Sequence, residues 1–229
     1  MSRKQMSPRP YDNTTRTEQA RALRHRVIDA ARELIVQRGP VAVSIRDIAD
    51  RAAVSRETVQ KAFGSKSALI KTVYDATVAG DDEPTALADR PQITQIIGTP
   101  DPREKLSLYA ALARHLGERL APLLSKLRAG ANSGDPDLRE LVDKLDAERL
   151  TGVGQLVQHL ADTGCLRAGV ETAHARDLVW ALISPEMYDL LVTNRRWSPD
   201  TYQTWLTKAL TDALAPATGI GETGDAASG

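Results

Sequence analysis

The chain has 229 residues, of which 30 are Lys or Arg and 30 are Asp or Glu, so its formal net charge is zero. Its one cysteine, Cys165, excludes an internal disulfide bond, and no stretch approaches the ~20 apolar residues that a membrane-spanning helix needs. The first residues also lack the apolar segment of a secretion signal, so we expect a cytoplasmic protein.

The charge is unevenly distributed along the chain. Residues 1–66 contain 14 Lys and Arg against 7 Asp and Glu, a net charge of +7, whereas the remainder contains 16 against 23, a net charge of −7. Lys and Arg neutralise the phosphates of nucleic acids, so a segregated basic segment is typical of a DNA-binding domain. The acidic remainder is expected to face away from DNA.

The two ends of the chain lack the patterns of folded structure. Residues 1–17 are polar, contain prolines and show no apolar periodicity, so we expect a disordered basic arm. We favour a plain flexible tail over an arm that enters the minor groove. Residues 217–229 are rich in Gly, Ala and acidic residues and predict a second disordered tail.

Apolar residues at helical spacing from Leu23 to Ile35 predict a first amphipathic helix. Gly39 can adopt the left-handed conformation of a helix C-cap, and Pro40 cannot continue a helix. We therefore expect this helix to end near Gly39 and to supply one wall of a small core.

Residues 44–66, SIRDIADRAAVSRETVQKAFGSK, indicate two short helices joined by a tight turn. Ser44 and Ser55 are suitable N-caps because a serine hydroxyl accepts a hydrogen bond from an unpaired backbone N–H, and Asp47 completes an approximate capping box. This is the layout of a helix-turn-helix, which places its second helix in the DNA major groove. Residues three and four apart form the inward apolar stripes: Ile45, Ile48, Ala49 and Ala52 on the first helix, and Val59, Ala62 and Phe63 on the second.

The outward residues of the second helix are suited to DNA. Arg and Gln side chains fit the edges of bases, whereas Lys and hydroxyl groups fit phosphates. After this helix, Ser65 can cap a further helix that begins at Lys66, where a helix N-terminus and a cation can share one phosphate. The outward residues are Arg56, Glu57, Gln60 and Lys61, with Ser55 and Thr58 at the leading end.

Over roughly residues 24–76 the chain resembles the TetR family of bacterial transcriptional regulators. The resemblance depends on a long first helix ending in Arg-Gly, followed by S-I-R-D-I-A, A-x-V-S and T-V-x-x-x-F-G-S-K. It implies that Ser44 and Arg46 touch the DNA backbone, that Arg56 and Glu57 read bases, and that Lys66 holds a phosphate. The full set of expected DNA contacts is Ser44, Arg46, Ser55, Arg56, Glu57, Thr58, Gln60, Lys61 and Lys66.

The chain departs from the family pattern at three positions. Ala53 stands in the turn where family members commonly carry Gly, and alanine in a left-handed conformation costs about 1 kcal/mol. Gln60 replaces a common tyrosine that binds phosphate, and its amide can either donate to a phosphate or read adenine. Ala62 replaces a frequent histidine.

From about residue 84 the chain shows helical periodicity and no convincing strand. We expect a loop-rich start with one short helix, a helix from Arg103 to about Leu116, and another over Leu120–Leu127. After a turn at residues 130–136, a long helix is expected to stop at Gly164, and two late helices follow. The prediction is an all-α protein with a helix-turn-helix domain at 18–66, a connecting helix at 67–80 and a bundle for ligand binding and dimerisation at 81–216.

The two late helices have broad apolar faces, one ending before Pro185 and one beginning after Pro199. In the TetR family the last two long helices pair with their copies across a two-fold axis. We therefore expect a homodimer, because two linked recognition helices can engage half-sites about one DNA turn apart. The alternative is that these apolar stripes pack only within one chain.

Regulators of this family usually bind a small molecule inside the helical bundle, and the resemblance implies an effector here. Several residues on or near apolar faces carry polar or adaptable groups, but each of them taken singly is as a rule a core residue. The aromatic content of 4% also disfavours a heavily aromatic site. The sequence does not indicate which molecule would bind. The candidates on or near apolar faces are Tyr109, His115, His159, Trp180, Met187 and Tyr188.

Two other classes of protein compete with a regulator. A metal-dependent enzyme is disfavoured because His115 with Glu118 and His159 with Asp162 reverse the Glu-to-His order of bundle metal sites, and nucleophile and phosphate-loop motifs are absent from the sequence. An adaptor that binds only protein would leave the basic segment unused. We expect a repressor that binds a palindromic operator as a dimer and is released by a small molecule, without catalytic residues, metal or cofactor.

Overall fold

The computed structural model describes residues 13–80 and 90–216, with the side chains of residues 13–16 left aside, and its regular structure in these ranges is entirely helical. The predicted all-α class is therefore confirmed. The chain divides into two compact units, Met1–Val73 and Tyr74–Gly229. Most of the predicted arm, residues 1–12, and the predicted tail, residues 217–229, lie outside the described ranges.

The first unit contains α1 (Asn13–Arg38), α2 (Ile45–Arg51), α3 (Arg56–Phe63) and the first part of α4 (Lys66–Ala79). Helix α1 begins five residues before the predicted boundary at residue 18. Apolar periodicity is not required for a helix to extend, so the apolar pattern from Leu23 onward does not mark the first residue of the helix. The helix ends as predicted, since Gly39 follows it with a φ of 80°.

One small apolar core joins the helices of the first unit. Val27 and Ile35 of α1, Ile48 of α2 and Val59 of α3 are fully buried. Ala62 was expected on the inward stripe of α3 but is exposed, because an eight-residue helix turns only about two turns and buries a narrow face. Other members of this core are Ala31, Leu34, Val43, Ala49, Ala52, Phe63, Leu69, Ile70 and Val73.

The second unit is built on two long helices. α6 (Pro102–Asn132) and α7 (Pro136–Asp162) are capped by aspartates, Asp101 and Asp135, whose side chains accept backbone N–H groups, and each begins with Pro at the first helical position. The shorter helices are α5 (Pro91–Gly98), α8 (Thr172–Leu182), α9 (Pro185–Tyr188) with a π-helical turn at Asp189–Asn194, and α10 (Pro199–Leu214).

Helix α6 corrects the prediction of two separate helices between Arg103 and Leu127. It continues for 31 residues and includes Pro122 in its interior. Gly117 lies against the side chain of Tyr188, and a Cβ built on this glycine would be 2.7 Å from ring atoms of that tyrosine. The glycine therefore permits a close approach of α6 to α9. Sequence spacing alone cannot distinguish such a contact from a break in the helix.

The last helix buries most of its apolar face within the chain. Tyr202, Leu206 and Leu210 of α10 are all 0% exposed, and the Tyr188 ring meets Tyr202 edge-on with centroids 5.0 Å apart. Ala173 of α8 was expected on an apolar face but is exposed. The apolar surface left for a partner is thus smaller than predicted, and on α10 it consists of the half-buried residues Trp205, Ala209 and Ala213.

A search of the described ranges finds no helix with both the length and the apolar character needed to cross a bilayer.

Candidate nucleic-acid interface

Serine caps start both helices of the helix-turn-helix. The Ser44 hydroxyl accepts the backbone N–H of Asp47, and the Asp47 carboxylate accepts the backbone N–H of Ser44, so the predicted capping box is complete. The Ser55 hydroxyl accepts the backbone N–H of Thr58 at 3.1 Å and lies 2.9 Å from the Thr58 hydroxyl. Both serines therefore fix helix starts, which limits the hydrogen bonds that they can offer to phosphates.

The turn between α2 and α3 contains a strained alanine. Ala53 has a φ of 55°, in the left-handed region that glycine adopts without strain. The Ala53 N–H donates to Asp50 and the Val54 N–H donates to Ala49, so the turn is closed by backbone hydrogen bonds. The turn therefore forms with alanine at the position where family members commonly carry Gly.

The outward face of α3 carries three exposed side chains that can donate hydrogen bonds. Arg56, Gln60 and Lys61 are exposed, and in the described part of the chain their side chains make no hydrogen bond or ion pair. Arg56 and Gln60 are four residues apart and so lie on one face of the helix. An exposed row of cationic and amide donors is the chemistry that contacts base edges and phosphates.

Glu57 is exposed beside these donors near the start of α3. A hydrogen bond from its own backbone N–H, a bond from Ser55 and the charge of Arg56 hold the pKa of Glu57 below its usual range. The residue is therefore ionised at neutral pH, and a carboxylate can accept a hydrogen bond from cytosine.

The other two predicted phosphate contacts flank α3. Arg46 is highly exposed and makes a loose ion pair with Asp50, with Nε 3.8 Å from Oδ2. Lys66 is half-buried and is the first residue of α4, and Ser65 caps that helix by accepting the N–H of Ala68. The structure thus places Lys66 at a helix N-terminus, where backbone N–H groups and a cation can share an anion.

Two contacts that the sequence did not predict join the helices of this unit. Arg51 of α2 binds Glu33 of α1 through two nitrogens, with Nη2 2.7 Å from Oε1 and Nε 3.1 Å from Oε2. The guanidinium of Arg24 lies 4.9 Å from the ring centroid of Phe63, which connects α1 to the end of α3. Local sequence patterns do not reveal either pair, because its two partners belong to different helices.

Residues 27–73 match the model of the family described as "Bacterial regulatory proteins, tetR family". The match covers the second half of α1, both helices of the helix-turn-helix and the start of α4. Over this segment the chain carries the DNA-binding domain of that family. The resemblance stated from the sequence is thereby confirmed for these residues, and a match to a family of regulators argues against the enzyme alternative.

Sequence similarity to the curated relatives extends over a short part of the chain. An HTH-type transcriptional repressor of Mycobacterium tuberculosis is 45% identical over 49 residues, which are 21% of this chain and 26% of that protein. The match therefore spans about a quarter of the length of the relative.

Solved structures extend the likeness of fold to most of the chain. A TetR-family transcriptional regulator from Rhodococcus sp. has a TM-score of 0.67 at 16% identity and covers 85% of this chain and 99% of its own. FadR from Bacillus subtilis, solved in complex with stearoyl-CoA, has a TM-score of 0.65 at 19% identity and covers 81% and 96%. At these identities the likeness shows the shared fold alone.

Four of the six residues predicted to line a ligand site belong to the interior of the second unit. Tyr188 is part of the buried core, and Tyr109, Trp180 and Met187 are half-buried against it. His115 does not belong to this set, since it is exposed and its Nδ1 lies 2.7 Å from the Ala111 carbonyl oxygen of its own helix.

Arg149 of α7 brings a charge close to these interior aromatics. Its guanidinium carbon lies 4.2 Å from the ring centroid of Trp180, and Nη1 donates to the Trp180 carbonyl oxygen at 2.6 Å. Nη2 lies 3.6 Å from Asp146, yet among the residues that the structure describes neither Nη2 nor the buried Trp180 Nε1 has a hydrogen-bond partner. The sequence did not single out Arg149, because an arginine on a long helix resembles an ordinary surface residue.

His159 has a lysine as its neighbour. Its Nε2 lies 2.8 Å from Nζ of Lys105, which is 2% exposed. A lysine ammonium next to the imidazole repels a metal cation, which disfavours the metal-site alternative for His159 and Asp162. Sequence reasoning missed Lys105 because lysine is seldom fully buried.

Proposed function

We propose that the chain is a transcriptional repressor that binds a palindromic operator as a homodimer and is released by a small-molecule effector. The observation that carries the proposal is the exposed row of Arg56, Gln60 and Lys61 on α3, within residues 1–66, whose net charge is +7. Repression is supported by the M. tuberculosis relative, which is named as a repressor and is 45% identical over 49 residues.

Within this proposal the nine DNA contacts divide into two groups. Arg56 and Glu57 would read base edges at the start of α3, with Gln60 one turn further along the same helix. The remaining contacts would hold phosphates and so position the helix without selecting a sequence. They are Ser44, Arg46, Ser55, Thr58, Lys61 and Lys66.

A second copy of the chain would complete the operator-binding unit. Trp205, Ala209 and Ala213 form a half-buried strip on α10, and Trp197 packs edge-on against Trp205 with centroids 6.1 Å apart. These residues and the 51% exposed Leu190 supply apolar surface for a two-fold interface. A homodimer would present two α3 helices to half-sites about 34 Å apart.

The effector would bind in the interior of the second unit. FadR from B. subtilis, which shares the fold, was solved with stearoyl-CoA, and the half-buried Tyr109, Trp180 and Met187 offer polar and adaptable groups in this chain. Binding there would shift the population between operator-bound and released states only if the effector prefers the released one.

Selection of bound sequences from a random double-stranded DNA library tests the proposal, with the purified full chain as bait. We expect an enriched inverted repeat whose half-sites are about one DNA turn apart. Enrichment of a single unrepeated half-site would contradict the dimer, and the absence of any enriched sequence would contradict operator recognition.

A further inference from the structure

The side chain of Lys105 is buried in the helical bundle, and no carboxylate of the described ranges pairs with it. The residue is 2% exposed, and within the described ranges its Nζ has a single hydrogen-bond partner, Nε2 of His159 at 2.8 Å. An ammonium group has three N–H donors, so this contact uses only one of them. Burial of a charged group is costly unless the charge is paired and its hydrogen bonds are made.

Lys105 and His159 each precede a leucine of the apolar core of the second unit, and one further polar residue lies nearby on α6. Leu106 and Leu160, the chain neighbours of Lys105 and His159, are both 0% exposed. Tyr109 lies one turn further along the same face of α6, and its hydroxyl makes no hydrogen bond within the described chain. Burial raises the pKa of Tyr109 well above its usual value, with Arg149 acting in the opposite direction, so the hydroxyl remains a neutral donor.

The chemistry of these groups selects the class of partner. A single ammonium with a neutral hydroxyl matches a singly charged carboxylate, whereas a phosphate is better matched by the planar fork of arginine or by several backbone N–H groups. His159 accepts from the ammonium and thereby orients it, which makes this histidine a positioning residue. The apolar core of the second unit favours an acid that carries a hydrocarbon part.

We propose that the effector of this regulator is a small organic acid whose carboxylate pairs with Nζ of Lys105 and accepts a hydrogen bond from the Tyr109 hydroxyl. The inference rests on the proposed function, because it names the chemical class of the molecule that releases the operator. The carboxylate of this acid would lie at Lys105, and its apolar part would lie inside the bundle.

Calorimetric titration of the full chain tests the inference. The probes are the sodium salts acetate, butyrate, hexanoate and octanoate, each matched with the primary alcohol of the same chain length. We expect at least one acid to bind and its alcohol to bind at least about tenfold more weakly, since a charge-assisted hydrogen bond contributes about 10- to 100-fold. Equal affinities for acid and alcohol, or no acid binding up to about 10 mM, would overturn the inference.

Two variants test the roles of Lys105 and His159 in the same titration. Lys105→Met keeps the length of the side chain, and replacement of a buried ion by an apolar group is often neutral for stability. It should weaken the acid about 10- to 100-fold and leave the alcohol unchanged, whereas unchanged acid binding would refute the pairing. His159→Gln keeps an acceptor for Nζ and should weaken the acid less than Lys105→Met does. If Lys105→Met unfolds, the comparison of acid with alcohol in the wild type still decides.

Binding of the ligand-free chain to DNA is measured first. Its failure would refute the proposed function and leave the acid titration interpretable. DNA binding without acid binding that depends on Lys105 would refute this inference alone.

Discussion

Arg51 binds Glu33 through two of its nitrogens and so connects α2, the first helix of the helix-turn-helix, to α1. The contacts are Nη2 to Oε1 at 2.7 Å and Nε to Oε2 at 3.1 Å. The two side chains remain 54% and 42% exposed, so water and salt screen the pair. The pair fixes the angle of α2 relative to α1, and the position of α3 depends on that angle.

The Glu33 pair should make the stability of the chain depend on acidic pH. Hydrogen bonding by Arg51 lowers the pKa of Glu33 from its ordinary 4.5, so the pair stabilises the folded state above about pH 4.5. This contribution is lost as the pH falls from there through the lowered pKa of the folded state. Thermal unfolding of Glu33→Gln should match the wild type at the acidic end and be less stable at neutral pH. A constant difference across the whole range would contradict this origin.

Ala53→Gly should stabilise the chain by about 1 kcal/mol, because glycine adopts the φ of 55° without the steric cost of a Cβ. Ala62→Gly is the matched control, since Ala62 is another exposed alanine of the same unit but lies within α3. The control should destabilise by about 0.5–1 kcal/mol. Urea denaturation measures both, and a loss of stability in Ala53→Gly would show that the turn requires the alanine side chain.

Gly117→Ala should destabilise the second unit by about 1–3 kcal/mol, because the added Cβ would lie 2.7 Å from the Tyr188 ring and would overpack the contact between α6 and α9. Gly152→Ala on α7 is the control, since nothing lies within 4 Å of its added Cβ. The control should stabilise by about 0.5–1 kcal/mol through helix propensity. Equal effects of the two substitutions in thermal unfolding would mean that α9 moves aside at no cost.

Arg56→Ala and Lys66→Ala should have different effects on DNA binding. Loss of a base contact by Arg56 should cost about 1–3 kcal/mol on the operator and relax selection at one base position. Loss of a phosphate contact by Lys66 should weaken operator and random DNA alike. Competition titrations with both DNAs measure the ratio, and equal losses on both DNAs for both variants would refute this division of roles.

Local signals in the sequence were sufficient to predict the starts of α2 and α3. Ser44 with Asp47, and Ser55 with Thr58, are each three residues apart, so capping is visible in the sequence. Contacts between distant segments are not visible in this way. Arg51 and Glu33 are 18 residues apart, Lys105 and His159 are 54 residues apart, and which residues meet depends on how the helices pack.

The same reason explains why the break predicted between two helices around Gly117 was wrong. A glycine within a helical pattern predicts either a weak point or a close contact, and only the position of Tyr188 decides between them. The candidate ligand residues were chosen as polar groups on apolar faces, which found Tyr109 and His159. The choice did not include Lys105 and Arg149, whose environments result from the packing of α7 against α6 and α8.

Fluorescence anisotropy of the full chain on labelled DNA from upstream of its own gene tests the central claim most directly, with a scrambled duplex of equal length as control. The account predicts saturation at two chains per site, tighter binding than to the scrambled duplex, and an affinity whose logarithm falls linearly with the logarithm of salt concentration. Absence of binding at low salt, or equal affinity for the two duplexes at every salt concentration, would contradict it.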